Sequence, residues 1–388
     1  MRTVDLAIVG GGPAGAAAAL AARRAAPDLD VMLIDRSAFP RDKTCGDGIG
    51  PECAVALDAL GVSHVLADVP PVHRVEVTAP DGGRVSGPVP RPGWVLPREQ
   101  LDARLHRAAV AAGAEPVAAR VRELRPAGDF VEIPDVCRAR WVIGADGANS
   151  RVRRVTAASA ERVQPVGLAM RGYATGPPLD ALLIRFVDDA WPAYAWAFPI
   201  GDGRCNIGFG TFDRANVGGR DDLVAAIRRH LPEYDPDPAT LRAHHLPLAS
   251  VPPTLGAGQL LLVGDAANLV HPLTGEGITY ALVSGRLAGE AVAGALRGGA
   301  SHPGRAYKTA IAAELGRHLR HLRFAARLFQ HRTPINLSVA AAAHDPAMLG
   351  QLAEFALGVG LITPSLAWGL SKASIRRFRS RSNGQGAL

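Results

Sequence analysis

Residues 4–35 constrain the fold most. Val4 to Val9 is an apolar run of β type that ends in the turn GGGPAG. An alanine-rich helical stretch follows from Ala14 to Ala26, and a second apolar run, Val31 to Ile34, stops at Asp35. Strand, glycine turn, helix, strand and acid, in that order, open a dinucleotide-binding βαβ unit. In the pattern Gly10-x-Gly12-x-x-Gly15 the first glycine permits the tight turn and the second lets a pyrophosphate approach the backbone. The third lets helix and strand pack closely, and the helix N-terminus faces the phosphates. A lone G-x-G-x-x-G is a weak signal. This one follows a strand, opens a helix, and has Asp35 twenty residues after Gly15, where an acid accepts hydrogen bonds from a ribose diol. The bland alternative is a glycine-rich turn without a ligand.

The rest of the composition bounds the class. A chain of 388 residues suggests two to three domains, and 48% hydrophobic with 20% charged residues allows a large core. The net charge is +7, yet only Lys43, Lys308 and Lys372 are lysines. So much arginine beside so much alanine, glycine and proline reads as GC-rich coding, and no nucleic-acid partner is expected. Cys45, Cys53, Cys137 and Cys205 form no C-x-x-C pair and match neither a zinc site nor a disulfide scaffold, so no metal is expected. The first motif begins within ten residues of Met1, with no signal peptide ahead of it. The longest uncharged run, 355–371, is broken by Gly358, Gly360, Pro364 and Gly369 and is too short for a confident membrane span. A cytoplasmic protein is expected, with peripheral membrane contact left open and no protein partner implied.

Further along, 72–89 reads as short strands around the turn Asp81-Gly82-Gly83, and Pro97 opens a helix to about Gly113. Strands ending in Trp141–Ile143 follow, then a strand-rich, aromatic stretch over 164–211. Leu223–Leu231 reads as helix, Leu260–Val263 as a buried strand, and the chain from Gly275 as mostly helical, with a fraying basic tail from Ser374.

Two segments bear on whether the dinucleotide is NAD or FAD. Residues 142–147 read VIGADG and 262–266 read LVGDA, both apolar strands that end at a Gly-Asp or Gly-x-Asp turn. With the first motif they resemble the flavoprotein monooxygenases and reductases of the p-hydroxybenzoate hydroxylase fold. Three more segments, FPRDKTCGDGIG at 39–50, YAWAFPIGDGRCNIGFG at 194–210 and PLTGEGI at 272–278, resemble the geranylgeranyl reductase family. The stretch Met170-Arg171-Gly172-Tyr173 is similar to its menaquinone-reductase members. The resemblance spans about residues 4–300.

The resemblance implies an α/β fold: a Rossmann-type FAD-binding domain with an interleaved antiparallel-sheet substrate domain and a C-terminal helical region. The FAD-binding domain would comprise residues 1–70, 95–155 and 253–300, the substrate domain 71–94 and 156–252, and the helical region with its basic tail 301–388. It implies FAD contacts residue by residue. Ala14, Asp35 and Arg36 match the adenosine side; Cys45, Gly46 and Gly48 the loop that meets the flavin; Arg98 and Val121 further contacts. Asp265 would bond the ribitol and Asp146 lie near the pyrophosphate, while Gly275, Gly277 and Ile278 would start a helix aimed at the flavin pyrimidine oxygen. The alternative for Arg98 is an ordinary surface arginine.

Tyr194, Trp196 and Phe198 alternate with alanines, so at strand spacing they share one face. That face lines an apolar substrate channel or packs on the core. Cys45 is either a small buried residue or a thiol that donates a proton beside the flavin. His271, before the 272–278 loop in which Glu276 sits, is either structural or a titrating group at the flavin.

The implied activity is FAD-dependent reduction of carbon–carbon double bonds in an isoprenoid or other apolar substrate, with NAD(P)H or another reductant visiting as electron donor. The rivals are a flavin monooxygenase, a natural-product tailoring oxidoreductase, a halogenase working through a lysine, and a non-catalytic isoprenoid-binding protein. The CGDG loop and the Tyr-x-Trp-x-Phe-Pro strand count against the hydroxylases. A halogenase would have only Lys43 in the flavin half to work with.

Overall fold

The computed structural model describes residues 1–156, 166–213, 219–298 and 302–384, with side chains of the last helix described to Arg376. The apolar run that opens the chain becomes β1 (Thr3–Val9), central in an eight-stranded sheet. On one side of it lie β2 (Val31–Asp35) and β6 (Glu115–Ala118). On the other lie β9 (Cys137–Gly144), β17 (Leu260–Leu262) and β16 (Gly256–Ala257). All pair in parallel except β16, which runs against β17. A hairpin of β7 (Arg125–Ala127) and β8 (Phe130–Ile133) extends from β9. Leu6, Ile8, Leu33, Ile34, Val142 and Ile143 are all but inaccessible to solvent, as strands covered on both faces require.

Two helices cover this sheet by packing on each other at very short range. α1 (Pro13–Ala25) presents Ala14, Ala17 and Ala18 to α6 (Ile278–Leu296), which answers with Gly285 and Gly289. A Cβ on Gly285 would overlap the Ala14 carbonyl oxygen, and one on Gly289 that of Ala18. The alanine richness of α1 thus does more than favour helix: it lets two backbones touch.

The chain leaves this domain twice to build a nine-stranded second sheet. Its order is β14 (Asp235–Pro236), β10 (Val166–Thr175), β13 (Cys205–Thr211), β12 (Ala193–Pro199), β11 (Leu182–Val187), β4 (Val72–Thr78), β5 (Arg84–Val95), β3 (Gly48–Ile49), with β15 (Arg242–Pro247) also on β10. Every pairing is antiparallel except β4 with β11. Apart from β3, which comes before α2 (Pro51–Ala59), the first excursion follows α2 and ends at α3 (Arg98–Ala111); the second follows α4 (Arg151–Thr156). Period-two alternation sorts the faces. Met170, Leu183, Ala195, Ala197, Ile207 and Phe209 point to one core, which α5 (Arg220–His230) closes with Leu223 and Ile227. Tyr194, Trp196 and Phe198 point the other way.

The C-terminal helices divide between the two domains. α7 (Pro303–Glu314) and α8 (Gly316–Leu328) join the first core through Tyr307, Ile311, Leu319 and Leu322. α9 (Thr333–His344), α10 (Pro346–Leu357) and α11 (Pro364–Gly384) pack on the β4–β5 side of the second sheet through Val339, Met348, Leu349 and Leu366. The tail expected to fray from Ser374 instead continues α11 to Gly384. The side chains of Arg377, Arg379 and Arg381 in that tail lie outside the described residues. Pro97 precedes its helix as the cap, with Arg98 first in the helix.

The α1–α6 contact yields a stability prediction. Gly289→Val must separate the helices or bend one, and overpacking of this kind costs about 1–3 kcal/mol. The expected result is a clear fall in the denaturation midpoint; a midpoint equal to the parent protein's would mean that the two helices have room to spare.

Candidate active site

A single cavity of about 1460 Å³ runs between the two domains. Pockets for one drug-sized ligand measure roughly 300–1,000 Å³, so this one has space for a dinucleotide and a second molecule. One end is polar and is built on the carboxyl ends of the parallel strands. Gly10 has φ +109°, a conformation open to glycine, and it turns the chain from β1 into α1. Gly15 does not reach the cavity; a Cβ there would overlap the Gly10 carbonyl oxygen, so its part is to let helix and turn touch. Gly12, Pro13 and Ala14 do line the cavity, and the Gly12 cap gives α1 no side-chain partner, which leaves first-turn amides for an anion. Asp35 accepts from the Gly11 amide at 2.8 Å and the Ser37 amide at 2.9 Å. Those bonds fix the carboxylate at the cavity wall with lone pairs to spare. Arg36, Val121 and Asp146 line the same end, and Asp146 Oδ2 takes the Arg151 amide at 2.6 Å, at the start of α4.

The middle of the cavity is where β17 and α6 begin their turns. Asp265 Oδ2 lies 3.0 Å from Lys43 Nζ; burial pushes its pKa up, but Lys43 outweighs that and keeps it below the usual carboxylate value. Gly275, Gly277 and Ile278 line the wall at the N-terminus of α6, and here Glu276 Oε1 takes the Thr279 amide at 2.8 Å. Burial lifts Glu276 to about 7. An acidic diol partner, uncapped helix amides and a buried, cation-held aspartate are the donors and acceptors that an FAD molecule requires. The residues present fit that group.

The loop at 42–48 enters from the side. Its keystone is Asp47, fully buried, at φ 59°. Asp47 Oδ2 accepts from Tyr173 Oη and Asn206 Nδ2, each at 2.8 Å, and Oδ1 from the Arg98 amide at 3.2 Å. Asn206 also donates to the Cys45 carbonyl at 2.9 Å and accepts from Trp196 Nε1 at 2.9 Å. Burial raises Asp47 to about 6 against the pull of these donors. Cys45, Gly46 and Gly48 are thereby held on the cavity wall, and burial pushes the Cys45 thiol up, which keeps its proton in place at neutral pH. Arg98 is buried rather than a surface arginine. Burial opposes its charge, but the Asp102 carboxylate, 2.6 Å from Nε, outweighs that and keeps it cationic.

Beyond this loop the cavity turns apolar. Tyr194, Trp196 and Phe198 all face it, in tilted contact at 5.6 and 6.4 Å between ring centroids. Trp196 is buried as well, against Gly46 and Gly208, so the two readings of this strand face, channel wall and packed core, hold together. Val75, Val85, Ile184, Leu349, Leu366 and their neighbours continue the wall beneath the C-terminal helices.

His271 is the exception among the residues singled out for chemistry. It does not line the cavity. Nδ1 accepts the Leu273 amide at 3.2 Å, so the proton sits on Nε2 and is donated to the Phe355 carbonyl, also at 3.2 Å. Burial lowers its pKa to about 3. A neutral imidazole with both nitrogens engaged ties the 272–278 loop to α10; it is a brace and not a proton carrier. Conversely, residues given no role in the reductase reading of the sequence stand at the centre: Asp47, Asn206, Lys43, and His244, which lines the cavity near Lys43 and Asp265 and is lowered to about 4 chiefly by burial. Asp47 sits inside the CGDG motif, and Asn206 is a polar residue within an otherwise apolar strand, which is a readable signal.

The two motif aspartates have different duties. Asp265→Ala removes an ionised acceptor and leaves Lys43 without its partner, so FAD affinity is expected to fall roughly tenfold to over a hundredfold, or about 1.5–3 kcal/mol. Asp146→Ala loses an α4 cap, about 1 kcal/mol of stability, with a smaller effect on affinity. Equal FAD affinities for the two variants, measured by equilibrium ultrafiltration, would reject this division.

Comparison with known proteins identifies the family. A family model described as an FAD binding domain matches residues 3–309. A menaquinone reductase of Mycobacterium tuberculosis is 34% identical over 326 residues, covering 74% of this chain and 76% of that protein. A digeranylgeranylglycerophospholipid reductase of Methanopyrus kandleri is 34% identical over 323 residues, covering 75% and 77%. The crystal structure of a geranylgeranyl bacteriochlorophyll reductase-like protein from Thermoplasma acidophilum superimposes with a TM-score of 0.78 at 21% identity, covering 96% of each chain. The chain belongs to the FAD-binding-domain family, as an FAD-dependent oxidoreductase of the geranylgeranyl and menaquinone reductase type.

Proposed function

We propose that the protein reduces carbon–carbon double bonds in an isoprenoid or similarly apolar chain. One observation carries the reading: the cavity that receives the dinucleotide at its polar end continues past Trp196 into an apolar chamber roofed by α9–α11. FAD, when bound and reduced, supplies a hydride equivalent; its electrons would come from NAD(P)H or another visiting reductant, since the chain carries one G-x-G-x-x-G unit.

The protein's own residues do the rest. Trp196, fixed through Nε1 by Asn206, is a rigid wall that orients an alkene and excludes water from it. Tyr194 sits beside it with its hydroxyl committed to the Thr274 carbonyl and its pKa raised by burial, so it stays neutral and holds the 272–278 loop shut. A reduced double bond also needs a proton. Glu276 lines the cavity, is raised by burial to about 7, and has Oε1 engaged by the Thr279 amide. Cys45 holds a second exchangeable proton on its raised thiol.

Two experiments test the reading. In the first, enzyme reduced anaerobically is given polyprenyl substrates; product heavier by two hydrogens is expected. Incorporation of labelled oxygen under air, without the two-hydrogen product, would replace the reductase reading with that of a monooxygenase. The second uses pH. The raised carboxyl of Glu276 is protonated below about 7 and loses its proton above it. Single-turnover reduction should therefore be fastest below pH 7 and fall about tenfold per unit above it. Glu276→Gln should be slow and flat across that range; retention of the parent's pH step in the variant would move proton delivery to another group.

A further inference from the structure

We infer that the protein docks on anionic bilayers through the face formed by α8 and the start of α11, so that the apolar mouth of the cavity opens onto lipid. The inference rests on the reading above only in taking an apolar chain as the cavity's visitor.

Charge provides the first observation. Residues 315–388 hold ten lysines and arginines and two acids, Asp345 and Glu354, a net of +8, whereas the whole chain carries +7. Residues 1–314 therefore sum to −1, so the excess of positive charge is local and not a general property of an arginine-rich chain. On α8, Arg317, Arg320 and Arg327 are exposed and Arg323 is half-exposed, and none of the four has an acid within ion-pair distance among the described residues. Burial and then the repulsion of Arg320 and Arg327 lower the Arg323 pKa, which marks this stripe as uncompensated. Lys372 and Arg376 add exposed positive charge on α11.

Apolar exposure is the second. Phe324 and Leu328 line the cavity and are nevertheless 55% and 42% exposed. They are at its rim. On α11, Ala367 also lines the cavity and is exposed, and the next residue, Trp368, is 61% exposed, with Lys372 Nζ 5.3 Å from its ring centre; Ile375 lies two turns on at 52%. α8 is tied to the segment that leads into α11: His318 Nδ1 bonds the Gly360 carbonyl at 2.7 Å, and His321 Nδ1 accepts the Ile362 amide at 2.9 Å. A mouth ringed by large apolar side chains and flanked by unpaired arginines is complementary to a surface that is anionic outside and hydrocarbon within. An acidic protein would match the charge, but Phe324 and Leu328 continue inward as the wall of the chamber, which suits a chain drawn out of a membrane. No helix among the described residues is long and apolar enough to cross one, so the contact is peripheral.

The test is flotation of the FAD-loaded protein with vesicles of phosphatidylcholine alone or with 30% phosphatidylglycerol. Binding to the anionic vesicles is expected at 0.1 M NaCl, with little at 1 M and little to the neutral ones. The triple variant Arg320→Glu, Arg323→Glu, Arg327→Glu should bind more than a hundredfold more weakly, at about fivefold per charge removed. None of the three lines the cavity, so reduction of a short, water-soluble alkene should be unchanged in the variant, while reduction of a long chain embedded in anionic vesicles should fall. Trp368→Ser should bind more weakly without losing salt sensitivity. Absence of flotation, equal binding to both vesicle types, or full binding by the triple variant would overturn the inference. So would concentration-dependent dimerisation, lost in the triple variant, without flotation, since this face would then meet a second copy of the chain. Flotation reads lipid contact alone, so a protein that floats but reduces nothing would refute the proposed reaction and leave the docking face standing.

Discussion

The site depends on one buried carboxylate. Asp47 gathers a hydroxyl from β10, an amide from β13 and a backbone N–H from the first residue of α3, while its own carbonyl accepts the Leu96 amide. Two of these partners come from the second sheet and one from α3, which packs on α1 of the first domain, and the loop that carries Asp47 lines the cavity between them. A charge in so dry a place is tolerable because three donors converge on it. Their loss would strand a tyrosine hydroxyl and an asparagine amide as well as the acid. The left-handed backbone at Asp47 adds strain that only such a set of contacts would hold.

From that anchor the rest follows by contact. Asn206 passes the constraint to Trp196, and Trp196 packs on Gly46 and Gly208, so the aromatic wall and the 42–48 loop have one common setting. On the opposite side, Lys43 and Asp265 join the same loop to the turn after β17. The polar and apolar halves of the cavity are therefore positioned by a few hydrogen bonds at their junction, and the two cores on either side, built from period-two strands and alanine-faced helices, give those bonds a rigid frame.

Much of this was legible in the sequence where the signal is local. The βαβ unit at the N-terminus, the strand alternation of Tyr194, Trp196 and Phe198, and the turns at Asp146 and Asp265 depend on neighbours within a few residues, and their placement on the cavity wall follows. His271 shows the limit. Its position next to the 272–278 loop suggested chemistry, but whether an imidazole faces a cavity or a carbonyl depends on α10, more than seventy residues away. Asn206 was hidden for a related reason: a polar residue in a buried strand announces a partner without naming it, and the partner lies in another domain's loop. The division of the C-terminal helices between two cores has no local mark, because an apolar helix face does not name the surface that covers it.

One feature of the cavity bears on the order of events in turnover. At its polar end, Arg36, Arg120, Arg122, Arg151 and Arg154 are exposed and line the opening, whereas its other end is rimmed by Phe324 and Leu328. A chamber with a cationic, hydrated entrance and a hydrocarbon entrance sorts its visitors by solubility before any chemistry occurs. On the proposed reading, water-soluble anions and greasy chains would have separate doors, so that neither need leave for the other to arrive.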